Sequence, residues 1–242
     1  MYKPYLKKKS NGLPILSKEE INSMCERFIS EFQPDALVNP QPIDIEMFAE
    51  GYLNITVDYF YLSHNLCIYG ATVFNDTNKM IIYDPEKNEA DYIHVSAMTI
   101  ILDCRLVTDA RYEHLGRMTM GHECGHAIMH TSLYYRNPDQ LSMFDVAGNS
   151  PIIKCRINES PLNSKFFKTD EEWVEWQANY FASALLMPKT PLLKLARELK
   201  SELSHTRLSQ LQIEDILSQS VSDTFNVSKA AAVSRLKNLM CI

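Results

Sequence analysis

The sequence predicts an α+β fold: a small, mainly antiparallel sheet packed with helices, followed by a C-terminal helical extension. Three observations predict it. A helical apolar stripe runs from Ile21 to Phe32, alternating and β-rich runs fill Leu53 to Leu102, and helical patterning returns after Arg111.

Composition bounds the rest. With 242 residues, 45% of them hydrophobic, the chain can bury one sizeable core. A formal net charge of -6 argues against a general polyanion-binding surface, so direct nucleic-acid binding is not expected. Lys3, Lys7, Lys8 and Lys9 are not followed by an apolar run that could act as a signal peptide, and no stretch is long enough to span a bilayer. A cytoplasmic protein away from membranes is the expectation. The cysteines Cys25, Cys67, Cys104, Cys124, Cys155 and Cys241 contain no CxxC pair, which suits reduced packing residues better than a disulfide framework.

Residues 1–16 are basic, contain Pro4 and Pro14 and lack a sustained period, so they read as a flexible tail. Ser17 and Glu20 form a capping box, opening a helix that buries Ile21, Met24, Cys25, Phe28, Ile29 and Phe32 and stops before Pro34. A short helix is expected over Ile43 to Gly51, with Asp44 near its start. Ile55, Val57 and Tyr59 alternate as a strand does. Cys67 to Phe74 and Lys79 to Tyr83 are rich in β-branched and aromatic residues and flank the turn-forming Asn75-Asp76-Thr77-Asn78, which predicts a hairpin. A strand at Met98 to Leu102 follows, and the sheet could offer an edge to an extended peptide.

No proline interrupts Arg111 to Thr131, so a long helix is expected there, with Asp109 as its N-cap. Thr131 to Thr169 is a long excursion with a strand-like Ile152 to Ile157, equally readable as a lid or an insertion. A helix over Asp170 to Met187 comes next, and Thr190 with Pro191 opens another. Gln210 to Thr224 and Ser228 to Met240 pair in the manner of a helix-turn-helix, with Lys229, Arg235 and Lys237 on the second member. Glu214, Asp215, Asp223 and the apolar Ala230 to Val233 favour packing against the core over DNA contact.

The chemistry centres on His122-Glu123-Cys124-Gly125-His126. Positions four apart on a helix lie about 40° apart around the axis and about 6 Å along it, so both imidazoles can reach one metal ion. Two neutral imidazoles suit zinc, and an adjacent carboxylate that does not ligate can accept a proton from water, which is the equipment of a zinc hydrolase. Gly125 weakens the helix by about 1 kcal/mol relative to alanine, which points to a close approach of backbone or substrate, or to simple helix packing. Cys124 projects about 100° from Glu123 and is expected to pack. His64, His94 and His114 lack metal-ligand spacing. His130 continues the face of His126 one turn on and reads as a supporting or capping residue.

A catalytic zinc needs a third protein ligand. On the helix Asp170 to Met187 the apolar stripe passes through Val174, Ala178, Phe181, Ala182 and Leu185, and Glu175 borders it. Glu171 and Glu172, one turn earlier, are the alternatives, and Asn179 is placed to hydrogen-bond a ligand.

The run Arg117 to His130 resembles the motif helix of the ImmA/IrrE family of zinc metallopeptidases. Glu175-Trp176-Gln177-Ala178-Asn179-Tyr180-Phe181-Ala182-Ser183-Ala184-Leu185-Leu186-Met187-Pro188 resembles that family's second signature, a helix ending in Leu-Met-Pro. Weaker similarity extends to Ile43-Asp44-Ile45, Gly70, Phe225-Asn226-Val227-Ser228 and Arg235-Leu236. The resemblance implies a gluzincin-like site with zinc on His122, His126 and Glu175 and with Glu123 as general base. It also implies a protein substrate such as a transcriptional repressor. The expected organisation is a tail at 1–16, a metallopeptidase domain at 17–189 and a helical extension at 190–242. The alternative is a metal-bearing regulatory or DNA-associated protein that binds without cleaving. Tyr134, Tyr135, His114 and His130 are open candidates for an oxyanion donor.

Overall fold

The computed structural model describes residues 1–135, 152–156 and 169–242. Helix α1 spans Lys18–Phe32, and the Ser17 hydroxyl accepts from Glu20 N while the Glu20 carboxylate accepts from Ser17 N, the predicted capping box. After a short α2 (Asp35–Val38), Asp44 caps α3 (Ile45–Met47), which winds into a π-helical turn at Phe48–Tyr52 rather than continuing as one α-helix to Gly51.

The strands are β1 (Thr56–Phe60), β2 (Ile68–Val73), β3 (Thr77–Asp84), β4 (Glu89–Val95), β5 (Thr99–Asp103) and β6 (Ile152–Arg156). Four make one sheet in the order β1-β5-β2-β6, with β1 parallel to β5 and the other pairs antiparallel. The hairpin expected across Asn75 to Asn78 does not form. β5 and β6 occupy both edges of β2, so β3 instead pairs with β4 as a separate ribbon. Most of β4 is exposed and carries Glu89, Asp91 and His94, so it lacks the apolar alternation by which a strand is recognised.

The second half is helical. α4 (Arg105–Thr108) leads to a 3₁₀ turn at Ala110–Tyr112, which Asp109 caps through Arg111 N, and α5 (Glu113–Met129) begins where the turn ends. Asp109 thus caps the lead-in rather than the long helix itself. α6 (Thr131–Tyr134) follows, then β6, then α7 (Asp170–Leu186) with Thr169 at its N-cap. α8 (Lys189–Leu203) starts just after Pro188 with no side-chain cap, and Thr190 lies inside it with its N–H donated to Glu26 Oε1 at 2.6 Å. α9 (Gln210–Phe225) ends on a left-handed Asn226, and Ser228 caps α10 (Lys229–Asn238). Of the span that could form a lid, residues 136–151 and 157–168 lie outside the described residues, Ile157 of the expected strand among them.

One apolar cluster runs from Leu16 to Cys241 and takes in α1, α5, α7, α9 and α10, so the C-terminal helices share the core of the rest. Arg235 is wholly buried there, donating to Met187 O (3.1 Å) and Asn22 Oδ1 (2.8 Å) over the Tyr180 ring. Lys229 pairs with Asp215 at 2.6 Å, so two of the three cations on α10 are engaged within the protein. The N-terminal residues lie against the body: Leu13 is fully buried, Leu16 nearly so, and Ser132 Oγ donates to Gly12 O. Their apolar positions are too few to make a period, yet two of them find the core. Among the described residues no helix is long and apolar enough to cross a membrane.

Helices α5 and α7 pack closely along a seam of small residues. A methyl group on Gly125 would stand 3.2 Å from Ala178 Cα and Phe181 Cβ, and one on Gly121 would stand 3.2 Å from Ala182 Cβ. The glycine inside the histidine motif therefore serves helix-helix approach, the simpler of its two readings. That approach brings the acidic border of α7 to the histidine face of α5.

Candidate metal centre

His122 and His126, one turn apart on α5, turn their Nε2 atoms toward the same point, 2.9 Å from each other. Glu175, from α7, completes the triangle: Oε2 is 3.3 Å from His122 Nε2 and Oε1 is 3.4 Å from His126 Nε2. Both histidines are buried, and Glu175 is 15% exposed at the side chain, which opens the cluster on its carboxylate side. Glu171 and Glu172 are not in this group, nor is Cys124, which is buried among core residues.

The donor chemistry of the triangle fits a cation. Burial pushes the Glu175 carboxyl upward, but the charges and hydrogen bonds of His126 and His122 outweigh it and hold Glu175 well below the usual carboxylate range. The carboxylate is thus ionised and faces two imidazole nitrogens. His122 Nδ1 lies 3.0 Å from Asn179 Oδ1, and an amide oxygen can only accept, so that nitrogen carries a proton and Nε2 is the ring atom turned toward His126 and Glu175. Asn179 holds the supporting position expected from its spacing to Glu175.

Glu123 lies beside the triangle, with a carboxylate oxygen within 4.8 Å of a His122 ring nitrogen, and is tied to the sheet. Thr72 of β2 donates its hydroxyl to Glu123 Oε2 at 2.6 Å, and Glu123 Oε1 is buried with no hydrogen-bond partner among the described residues. Gly70 makes this possible, because a methyl group there would meet Oε1 at 2.8 Å. Burial raises the Glu123 carboxyl to about 7, against the opposing pull of His122 and Thr72. A carboxyl that ionises near neutrality can both take and return a proton.

Three further groups border the site. His130, fully buried, has Nδ1 3.0 Å from His126 Nδ1 and Nε2 2.9 Å from Gln177 Oε1, and burial drives its imidazole down to about 3, so it is neutral. Cys155 on β6 lies close to His122 and Glu123, as a second set of metal-type ligands that shares His122 with the first. Tyr134 stacks on Phe74, and burial, with Glu175 adding to it, holds its hydroxyl protonated with a pKa of about 12. Of the other histidines, His94 bonds Asn78, His64 meets the Tyr83 ring edge-on, and His114 bonds Asn226 at the far end of α5.

Thr72, Gln177 and Cys155 were not legible as site residues from sequence. A threonine in a strand and a lone cysteine carry no signal of their own. Gln177 had one, as a polar residue on the buried side of an apolar helix.

A helix bearing two convergent imidazoles and an adjacent buried acid, crossed by a second helix supplying a carboxylate, is the arrangement of a metallopeptidase-like protein. A family model, Peptidase_M78, described as an IrrE N-terminal-like domain, matches residues 153–237, and the match supports membership of the ImmA/IrrE family. It covers β6, α7 with Glu175, and the C-terminal helices, while the histidine pair on α5 lies upstream and is joined to it by geometry. No curated protein matches the chain.

Proposed function

We propose that the protein is a zinc-dependent endopeptidase in which His122, His126 and Glu175 hold the metal and Glu123 is the general base. One observation carries this reading: two imidazole nitrogens and an ionised carboxylate from separate helices converge within 3.4 Å, with a second, differently held carboxylate beside them. Zinc, when bound, supplies Lewis acidity that polarises a scissile carbonyl and makes water a better nucleophile. Thr72 fixes Oε2 of Glu123, leaving Oε1 to accept the proton of the attacking water and pass it to the leaving amine. His114 and His130 are committed to other partners and Tyr135 is exposed, which leaves Tyr134, buried, stacked on Phe74 and felt electrostatically by Glu175, as the oxyanion donor among the four open candidates.

The substrate in this reading is a protein, and the family resemblance favours a regulator such as a transcriptional repressor. The peptidase unit is assigned to 17–189, with 190–242 as a helical extension packed on it. The test is bound zinc per chain by elemental analysis, native against Glu175→Ala after identical dialysis. Zinc in the native protein and its depletion in the variant is the expected result. Glu123→Gln should then keep zinc and lose cleavage, and no zinc in the native chain even after zinc is supplied would overturn the assignment.

A further inference from the structure

Beside the cluster runs a buried chain of hydrogen bonds that ends on the main chain of the N-terminal segment. Gln177 Nε2 lies 2.9 Å from Pro14 O, and Trp173 Nε1 lies 3.2 Å from the same oxygen. Gln177 Oε1 is 2.9 Å from His130 Nε2, and His130 Nδ1 is 3.0 Å from His126 Nδ1. His126, His130 and Gln177 are all fully buried, so no water competes for these positions.

The direction of every bond in this chain follows from its last member. A carbonyl oxygen can only accept, so the amide group of Gln177 that faces Pro14 is the NH₂ and the group that faces His130 is the oxygen. That oxygen also only accepts, so His130 Nε2 carries a proton. His130 is wholly buried, and its ring hydrogen bonds go only to an amide and another imidazole, with no anion to stabilise a charge, so it is the neutral form with one N–H and its Nδ1 is an acceptor. His126 Nδ1 must then be the donor, and its Nε2, on the opposite side of the ring, keeps its lone pair facing His122 and Glu175.

We propose that the main-chain carbonyl of Pro14 sets the tautomer of His126, acting through Gln177 and His130 as positioning residues. The polarity is written into the fold by an atom that cannot donate, belonging to a segment with no period of its own. Trp173 holds the same carbonyl from a second side, and the segment is fixed by Lys9 N donating to Leu13 O, Ile15 N donating to Lys7 O, and the buried Leu13 side chain. The N-terminal segment thereby becomes part of the metal site without touching it. Supporting partners of this kind typically change metal affinity by about 10- to 100-fold when removed.

The inference uses the proposed metal reading for its consequence alone, so the two are tested apart. The tautomer is read on the metal-free 242-residue chain from one-bond and longer-range ¹H–¹⁵N correlations of the imidazoles near neutral pH. The expected result is a proton on His126 Nδ1 and on His130 Nε2. A His126 ring protonated on Nε2 with none on Nδ1 in the native protein would overturn the proposal, and the native spectrum decides this whether or not any variant folds. Gln177→Met keeps the length and removes both bonds. It should release the His126 tautomer and weaken zinc binding about 10- to 100-fold in chelator competition. An unchanged His126 tautomer in a folded Gln177→Met protein would also overturn it. A native chain that shows the expected tautomer yet takes up no zinc would uphold the polarity and sink the metal reading.

Discussion

The hydroxyl of Thr72 stands 2.6 Å from Glu123 Oε2, and this bond holds one of the two carboxylates of the candidate site against the sheet. Glu175 faces the histidines and Glu123 is tied to the sheet. Hydrogen bonds to charged groups contribute about 1.5–3 kcal/mol, which is roughly a 10- to 100-fold effect if felt wholly in the reaction. Thr72→Val keeps the shape and removes the hydroxyl. The expected outcome is a fall of that order in kcat/KM on any cleaved peptide, with bound zinc unchanged. Loss of zinc in parallel would mean that Thr72 supports the ligands rather than the base.

Gly70 is the second prediction, and its effect has a different cause. A methyl group added there would meet Glu123 Oε1 and Thr119 Cγ2, each at 2.8 Å, distances at which one side must move. The Glu123 side chain is the mobile partner, and the Thr72 bond is what it would lose. Gly70→Ala should therefore depress activity at least as much as Thr72→Val while leaving most of the stability in place. Thermal unfolding and zinc content measured on the same preparation check this, and a variant with native activity would show that Oε1 has room that its packing does not suggest.

At Gly125 two effects oppose each other. Alanine would gain about 1 kcal/mol of helix propensity, but its methyl would press on Ala178 Cα and Phe181 Cβ at 3.2 Å, and overpacking typically costs about 1–3 kcal/mol. The backbone of α7 is the less yielding neighbour, so the cost should win. Gly125→Ala is expected to lower stability by about 1 kcal/mol net and to loosen zinc, since widening the seam draws Glu175 from the histidines. Denaturant unfolding and chelator competition would record the two losses together.

Much of the site was legible because its parts are local. His122, Glu123 and His126 share one helix, and Glu175 both borders an apolar stripe and falls in the run that resembles the family's second signature. The capping box of α1 needed four residues and was equally plain. What escaped depends on contacts distant in sequence. Asn75 to Asn78 looks like a turn, yet β2 gives its edges to β5 and β6, one of them more than fifty residues further on. Gln177 is buried for the sake of Pro14, which no local pattern links to it. The weaker family-like positions make sense in the same way: Arg117 donates to Asn226 O and Ile43 O, binding two of those segments to the motif helix.

Arg235 supplies the last prediction, because it joins the C-terminal helices to the helix that carries Glu175. Its guanidinium is buried and donates to Met187 O, at the end of α7, and to Asn22 Oδ1 on α1. Desolvation works against the charge, as the lowered pKa of the guanidinium reflects, and the Tyr180 ring and the two acceptors offset it. Arg235→Met fills similar volume but leaves Met187 O and Asn22 Oδ1 without this donor in a dry interior. The expected loss is about 2–3 kcal/mol, read as a lower denaturation midpoint at unchanged slope. Measured against Asn22→Leu alone, which itself loses the bond from Asn22 Nδ2 to the Tyr180 hydroxyl at 3.2 Å, the double variant with Arg235→Met has no orphaned Asn22 acceptor and should lose less than the single Arg235→Met change. An equal loss would place the cost in the Met187 contact and make the end of α7, not α1, the structural client of Arg235.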